Sequence, residues 1–251
     1  MKTLGNLLFI VLLSATVALA QDAKKANGLI RFYENAMVGY KDASGQVVVP
    51  AKYTAGSEYF DGMALVLEGR KRGFIGEGGK VVIPFLYDDA AIFFEGLARV
   101  VKNGKHGFIN KKGEEVIAFK YDDASNFYGG LAKVAIAGKY GYIDPTGKEA
   151  IALQYENARD FALGLASVRK AGKFGFIDKT GASVIPFEYN DAWVFGSDGL
   201  VRVAKDGKMG FIDTKGKWVK DIEMENEREE WERRGMKKES EKEKEKDKDR
   251  D

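Results

Sequence analysis

The chain contains no cysteine, a single histidine and only four prolines among its 251 residues. Without cysteine it can form neither a disulfide nor a thiolate metal site. Because His106 is the only imidazole, a zinc site built from several histidines is excluded, and no acidic cluster has the spacing of a calcium loop. We therefore expect no bound metal and no cofactor.

A long hydrophobic run is also missing, because the apolar stretch at residues 7–13 is much shorter than the roughly 20 residues of a membrane-spanning helix. Lys2 precedes this stretch and Ala18-Leu19-Ala20 follows it, which is the layout of a secretory signal peptide. No cysteine follows the small residues, so a lipid anchor is not expected. We predict that residues 1–20 are a signal peptide cleaved after Ala20. The mature chain would then be periplasmic or secreted by a bacterium, with no transmembrane span.

Glycine, by contrast, is abundant, and its spacing is regular. A glycine followed by an aromatic residue recurs six times at intervals of 34, 34, 34, 34 and 35 residues. These six anchor glycines are Gly39, Gly73, Gly107, Gly141, Gly175 and Gly210. A second glycine follows each anchor by six positions, and a tyrosine follows the first five anchors by 14 positions. A period of this length predicts a tandem-repeat architecture, which we assign to residues 28–220.

Each repeat contains short runs of β-branched and aromatic residues bounded by glycine, a pattern that predicts three strands of a meander. In Asp144-Pro145-Thr146-Gly147 the residue types are those of a tight turn, and Asn110, Asp178 and Asp213 begin the equivalent turns. Three prolines, Pro50, Pro84 and Pro186, are expected to close the third strand of their repeats. The segment after that strand, such as Tyr-Asp-Asp-Ala at 87–90, is expected to connect one repeat to the next.

We therefore predict an all-β array of six three-stranded meanders of about 34 residues each. An open, solenoid-like arrangement is the first expectation. A closed, six-bladed, propeller-like ring is the alternative, because the number of repeats also suits a ring.

The repeat cores resemble the WG-repeat family, also called KWG repeats, which is found mostly in bacterial proteins. The resemblance rests on Lys-Phe-Gly-Phe-Ile-Asp at 173–178, Lys-Tyr-Gly-Tyr-Ile-Asp at 139–144 and Lys-Met-Gly-Phe-Ile-Asp at 208–213. The tryptophan that marks the family is absent from every copy. The resemblance implies a β-rich tandem array and leaves the ligand open.

The segments outside the repeats differ in character. Residues 21–27 are a short lead-in, and the last 31 residues, from Asp221, carry 14 acidic and 10 basic side chains. Residues 221–236 retain Ile222, Met224 and Trp231, and we predict that they form a short helix that caps the last repeat. Residues 237–251 contain nothing apolar, which predicts a disordered charged tail.

The residues that could act in catalysis are more simply explained as strand, turn or capping residues. His106 occupies a position that is Arg72 or Tyr140 in neighbouring repeats, so a strand residue is favoured over a catalytic base. The carboxylate pairs Asp88-Asp89 and Asp122-Asp123 recur in the same connecting segment, which favours turns or caps over a glycosidase pair. We therefore do not expect an enzyme.

The sequence argues against two further functions, phosphate binding and nucleic-acid binding. The glycines at 76, 78 and 79 precede a strand instead of a helix, so they predict a turn and not a phosphate site. The formal net charge is only +2, which argues against nucleic-acid binding.

The position before each anchor glycine is the candidate binding surface, because it varies within an otherwise regular repeat. Our candidate partner-binding residues are Arg72, His106, Tyr140 and Phe174. Arginine and aromatic side chains are typical of protein-binding surfaces. The sequence therefore favours an exported, non-enzymatic scaffold that binds an unidentified protein or peptide along its repeats.

The sequence leaves two alternative functions open. One is a carbohydrate-binding protein of the cell envelope that uses Tyr140, Phe174, Tyr128 or Trp193 as sugar platforms. The other is a hydrolase with a site built from loops, for which the sequence offers less support.

Overall fold

The computed structural model describes residues 29–222, which divide into two compact units, 29–155 and 156–222. The described residues contain 23 strands, one 3-10 turn and no α-helix. The strands form six antiparallel sheets, one for each predicted repeat. The predicted all-β array of six tandem repeats is confirmed, and among residues 29–222 no helix is long and apolar enough to cross a membrane.

The first unit contains four sheets, each ordered along the chain. Its strands are β1 Ile30–Glu34, β2 Met37–Lys41, β3 Val47–Tyr53, β4 Ala55–Gly56, β5 Ala64–Glu68, β6 Lys71–Ile75, β7 Val81–Tyr87, β8 Asp89–Ala90, β9 Leu97–Lys102, β10 Lys105–Asn110, β11 Glu115–Tyr121, β12 Asp123–Ala124, β13 Ala132–Ile136, β14 Lys139–Ile143 and β15 Glu149–Tyr155. The 3-10 turn at Glu77–Gly79 lies between β6 and β7.

The second unit contains two four-stranded sheets. Its strands are β16 Asn157–Ala158, β17 Leu165–Lys170, β18 Lys173–Asp178, β19 Ser183–Tyr189, β20 Asp191–Ala192, β21 Leu200–Lys205, β22 Lys208–Asp213 and β23 Trp218–Asp221.

Each sheet after the first has a short edge strand in addition to the three predicted strands. In the third sheet this strand is β8, whose Asp89 and Ala90 pair with Val101 and Val100 of β9. The segment that the sequence assigned to a connection therefore also begins the next sheet. Two residues are too few to produce a recognisable alternation of apolar and polar side chains, so the pattern did not predict this strand.

The anchor glycines are explained by a bulge in the third strand of the repeat. In the second sheet, Arg72 of β6 lies opposite Tyr87 and Phe74 lies opposite Ile83, so four residue steps of β7 face two of β6. The bulge brings a carbonyl oxygen over the glycine. A Cβ added to Gly141, for example, would lie 2.5 Å from the Ile151 oxygen.

The same bulge corrects the expectation for the prolines. Pro50, Pro84 and Pro186 lie inside β3, β7 and β19, and each strand continues three residues beyond its proline. The missing N–H of proline is tolerated there because the strand is at the edge of its sheet and the ladder is interrupted by the bulge.

The predicted hairpin turns are confirmed. The Asp144 carboxylate accepts hydrogen bonds from the backbone N–H groups of Thr146 (2.9 Å) and Lys148 (3.1 Å). Asn110, Asp178 and Asp213 accept the equivalent pairs of bonds. The glycine-rich segment at 76–79 closes the same type of turn by backbone bonds alone, as the sequence predicts.

Aromatic residues join successive repeats. The aromatic after the anchor packs against an aromatic 19 residues later, as in Phe108 and Phe127, whose ring centroids are 4.8 Å apart. Phe74 and Phe93 repeat this contact at 4.9 Å in the first unit, and Phe176 and Phe195 repeat it at 5.2 Å in the second. In these three pairs a core aromatic of one sheet packs on an aromatic of the following sheet in the same unit, so these neighbouring sheets share a core.

Several domain boundaries lie outside the described residues. These are the signal peptide at 1–20, the lead-in at 21–27, the helical cap apart from Asp221 and Ile222, and the charged tail at 237–251. Asp221 is the last residue of β23. The choice between an open array and a closed ring stays a prediction.

Candidate functional site

Three of the four candidate residues lie at equivalent positions in the first unit. Arg72, His106 and Tyr140 are in the central strands β6, β10 and β14, and each is half-buried. Each lies opposite the buried tyrosine that ends the third strand of its own sheet. The structure therefore arranges them as a row, one in each successive sheet.

The row is joined to a network of charged side chains. Arg72 forms an ion pair with Asp89 of the next sheet, and Arg99 Nη2 lies 3.5 Å from the other Asp89 oxygen. Arg99 Nη1 lies 3.1 Å from His106 Nδ1. One carboxylate therefore links Arg72 to the side chains that surround His106.

His106 is held in its neutral form at this position. A guanidinium can only donate a hydrogen bond, so His106 Nδ1 is the acceptor of the bond from Arg99. Burial, and then the positive charge of Arg99, hold the pKa of His106 below its usual value of 6.5 against the opposing charges of Asp123 and Asp122. The imidazole is thus a structural acceptor within its own sheet, between β9 and β10.

The network continues through Lys133. Its Nζ lies 3.4 Å from Asp123 Oδ2 and 5.7 Å from the centroid of the Tyr140 ring. We call the set formed by Arg72, Asp89, Arg99, His106, Asp123, Lys133 and Tyr140 the charged strip. Its cations and anions alternate and largely compensate one another.

The fourth candidate, Phe174, does not have the expected exposure. It lies in β18 of the second unit, is only 5% exposed and belongs to the hydrophobic core. The hypothesis of an exposed row is therefore wrong at this position. The reason is that Arg169 lies over the ring at 5.9 Å and Tyr189 is its cross-strand partner, so the aromatic fills the sheet instead of facing solvent.

The other proposed sugar platforms differ in accessibility. Trp193 is partly buried, with the guanidinium of Arg202 4.8 Å and that of Arg159 5.8 Å from its ring. Tyr128 is 68% exposed. Tyr128 is thus the one of the four with an open ring.

The first carboxylate of each Asp-Asp pair has a structural role. Asp122 forms an ion pair with Lys105 and accepts a 2.7 Å bond from the Ala137 N–H, which lies in the hairpin turn of the next sheet. Asp88 makes the equivalent contacts with Lys71 and the Asn103 N–H. The bond to the lysine, first, and those to the backbone hold the pKa of Asp122 below its usual range. The predicted capping role is confirmed.

A second row of side chains in the first unit was not predicted as a row, although the sequence named one of its members, Tyr128, as a sugar platform. Phe60, Phe94 and Tyr128 each precede a two-residue turn that leads into a first long strand, at intervals of 34 residues. Phe60 is 48% exposed, Phe94 is half-buried, and their ring centroids are 5.8 Å apart. We call these three residues the aromatic row. The 34-residue spacing of these aromatic residues is visible in the sequence. The equivalent position of the next repeat holds Ala162, which interrupts the pattern.

The turns that carry the aromatic row are rigid. Both central residues of each turn have positive φ, as at Glu95 (49°) and Gly96 (82°), which is the type I′ geometry. The Glu95 carboxylate accepts bonds of 2.6 Å and 2.9 Å from the N–H groups of Gly129 and Gly130 in the next turn. Lys111 Nζ lies 2.6 Å from Asp61 Oδ2. These contacts fix the spacing of the aromatic row.

Metal chemistry finds no support in the part of the chain that the structure describes. Within residues 29–222 no three acidic or histidine side chains are grouped so that they could hold an ion.

Comparisons with known proteins agree with the repeat architecture. The WG containing repeat family matches five successive segments, residues 39–71, 73–105, 107–140, 140–174 and 174–208. A search of curated proteins found no match.

Solved structures with a similar arrangement are distant in sequence. Hsv2 from Kluyveromyces lactis is 10% identical with a TM-score of 0.45, over 64% of this chain and 59% of that one. The type-IX secretion component PorZ from Porphyromonas gingivalis is 8% identical with a TM-score of 0.38, over 77% of this chain and 30% of that one. These likenesses carry no argument about function. The five family matches together span residues 39–208 of the 251-residue chain, and the protein therefore belongs to the WG-repeat family.

Proposed function

We propose that this protein is an exported, non-enzymatic repeat scaffold that binds a protein or peptide along the repeat surface of residues 29–155. The observation that carries the proposal is the aromatic row. Large aromatic side chains at fixed 34-residue spacing stay exposed at Phe60 and Tyr128, although the fold does not need them as core. Exposed aromatic residues in a defined row are the usual energetic anchors of protein interfaces.

The geometry of the row favours an extended peptide or a protein segment over a small molecule. Successive anchors lie on successive sheets, so a ligand must span several repeats to contact all of them. Asp61 and Glu95, beside the aromatic residues, already bond Lys111 and the backbone N–H groups of the next turn, so the aromatic side chains are the groups of this surface that we expect to contact a partner. The aromatic anchors are expected to supply most of the binding affinity.

The partners of the residues with catalytic potential support the non-enzymatic part of the proposal. His106 accepts a bond from Arg99, and Asp88 and Asp122 cap the turns of the following sheets, so these groups already have structural partners. Export is proposed from the layout of residues 1–20.

Carbohydrate binding is a second candidate, favoured by one observation. Tyr128 presents an open ring beside the Glu95 carboxylate that bonds the adjacent turn, and an aromatic face next to a carboxylate suits a sugar. Of the other suggested platforms, Phe174 is buried, Trp193 lies close to two arginines, and Tyr140 is half-buried with Lys133 near its ring.

The experiment that tests the proposal uses a random 12-residue peptide library displayed on phage. Peptides selected by the wild-type chain are measured against the variant F60S/F94S/Y128S. We expect at least about a tenfold loss of affinity, because each lost anchor contributes on the order of 1–2 kcal/mol. The control V81S/V116S changes exposed apolar residues on the outer strands and should bind as the wild type does.

Other results of this experiment would point to a different binding surface or to a different ligand. Loss in R72A/H106A/Y140A, with binding retained in the aromatic-row variant, would move the interface to the charged strip. Binding to a glycan array with no selected peptides would favour the carbohydrate alternative. Equal binding by all three variants would contradict the proposed surface.

A further inference from the structure

A cavity of about 290 Å³ lies in the first unit, where the second sheet meets the third. Leu65 and Leu67 of β5 and Ala90 of β8 form part of its apolar wall. Among the described residues that line it, Arg72 is the only charged one. The volume is close to the lower limit at which small-molecule sites are found.

The cavity exists because the second sheet departs from the repeat at two positions. Ala55 holds the place that Asp89 has in the third sheet. Leu65 holds the place of Arg99. The same two positions of the fourth sheet are again an aspartate and a lysine. The second sheet therefore has an apolar space where its neighbours have an ion pair.

The polar groups in and around the wall already have partners. The Gly56 carbonyl accepts a 2.7 Å bond from Arg31 Nη1, and Arg31 Nη2 lies 3.0 Å from Glu58 Oε1. The Ser57 hydroxyl donates a 2.7 Å bond to the Glu58 carbonyl oxygen and accepts a 3.0 Å bond from the Leu65 N–H. These groups are satisfied without a ligand, and the charges of Arg31 and Glu58 compensate each other.

Arg72 differs, because it has more donors than its partner can accept. It forms an ion pair with one oxygen of Asp89, while Arg99 Nη2 lies 3.5 Å from the other oxygen. A guanidinium carries five N–H groups, and here two guanidinium groups share one carboxylate. Arg72 therefore brings spare donors and uncompensated positive charge to the wall of the cavity.

An apolar space beside a guanidinium matches a molecule that has a hydrocarbon body and a carboxylate head. We propose that this cavity binds a small aliphatic carboxylate, with its head on Arg72 and its chain against Leu65 and Leu67. The small volume and the occupied carbonyl of Gly56 favour a free acid over the end of a peptide. The site does not depend on the aromatic row.

Hexanoate is the probe that tests this site, and methyl NMR of the full chain follows its binding. We expect saturable shifts of the Leu65 and Leu67 methyl resonances with a dissociation constant on the order of 1 mM. Hexanamide and hexylammonium keep the hydrocarbon chain without the negative charge, and each should bind at least about tenfold more weakly. Acetate keeps the charge without the chain and should also bind at least about tenfold more weakly.

Three variants test the residues. R72Q removes the guanidinium and should weaken hexanoate binding about tenfold. A55D/L65R gives the second sheet the ion pair of the third and should abolish binding, because the new side chains fill the cavity. K80Q is the matched control, since it removes an exposed lysine of the same repeat outside the cavity, and it should bind hexanoate as the wild type does.

If R72Q or A55D/L65R does not fold, the ligand series on the wild type decides by itself. No saturable binding of hexanoate, equal affinity for hexanoate and hexanamide, or shifts centred outside the cavity would each overturn the proposal. Undiminished binding by folded R72Q would do the same. Tighter binding of acetyl-glycyl-leucine than of hexanoate, lost in the C-terminal amide of that dipeptide, would also overturn it, because the ligand would then be the end of a peptide.

Discussion

The two residues that flank Gly107 in β10 have opposite environments. Phe108 is fully buried and packs on Phe127 of the next repeat, whereas His106 is half-buried and contacts Arg99 of its own sheet. The position after the anchor is aromatic in all six repeats, while the position before it holds six different residue types. The difference teaches that a repeat restricts residue type where a buried ring packs on its neighbour. It permits variation before the anchor glycine, where polar side chains such as His106 and Arg72 find hydrogen-bond or ionic partners.

The largest effect should follow from breaking the contact between repeats. We expect Phe108→Ala to lower the free energy of unfolding by about 3–5 kcal/mol, the usual cost of removing a buried ring. His106→Ala is the control in the same strand and should cost less than about 1 kcal/mol. Urea unfolding measures both. Equal losses would contradict the contrast between the two positions.

The anchor glycine itself should be the next most sensitive position. Gly141→Ala should cost about 1–3 kcal/mol, because the new Cβ would meet the Ile151 carbonyl oxygen in the bulge.

Gly130 is the informative comparison for this glycine. Its φ of +82° is left-handed and a Cβ there would meet no atom. Asparagine tolerates left-handed φ, so Gly130→Asn should cost less than Gly130→Ala. Gly141→Asn should cost more than Gly141→Ala. If asparagine relieved both sites, backbone conformation and not the bulge would explain the anchor.

The repeat, the three long strands and the tight turns could be predicted because each has a local chemical pattern. The bulge could not, since it depends on the register between two strands, and for the same reason Pro84 was placed at a strand end. The burial of Phe174 was missed because its neighbours in the row are polar or amphipathic, and only the sheet reveals which side chain fills the core. Arg72, His106 and Tyr140 lie at equivalent positions of successive sheets, as the repeat period indicates, and their role in binding stays a prediction. The exposure of Phe60 could not be predicted, because the tertiary structure decides whether an aromatic side chain is buried or exposed.

A smaller effect should follow from removing a cap between repeats. Asp122→Asn should lower the melting temperature at pH 7, because the carboxylate bonds Lys105 and the Ala137 N–H. The pKa of Asp122 is lowered in the folded state, so its stabilisation is present above the unfolded value of 3.8 and is lost as the pH falls through the folded value. The variant and the wild type should therefore converge in acid. Glu149→Gln, an exposed carboxylate of β15, is the control, and a constant difference down to pH 2 would contradict the role of the charge.

The smallest effect should come from His106, the variable position, and it should depend on pH. Its pKa is lowered in the folded state, so below the unfolded value of 6.5 the unfolded chain binds the proton first and stability falls until the pH reaches the folded pKa. His106→Phe introduces the residue that another repeat carries at this position. It should change the free energy of unfolding by less than about 0.5 kcal/mol at pH 8. Between pH 6.5 and 5 the wild type should lose stability more steeply than the variant in thermal unfolding. Parallel curves would show that the imidazole does not titrate against Arg99, and the position would then tolerate variation for reasons of packing alone.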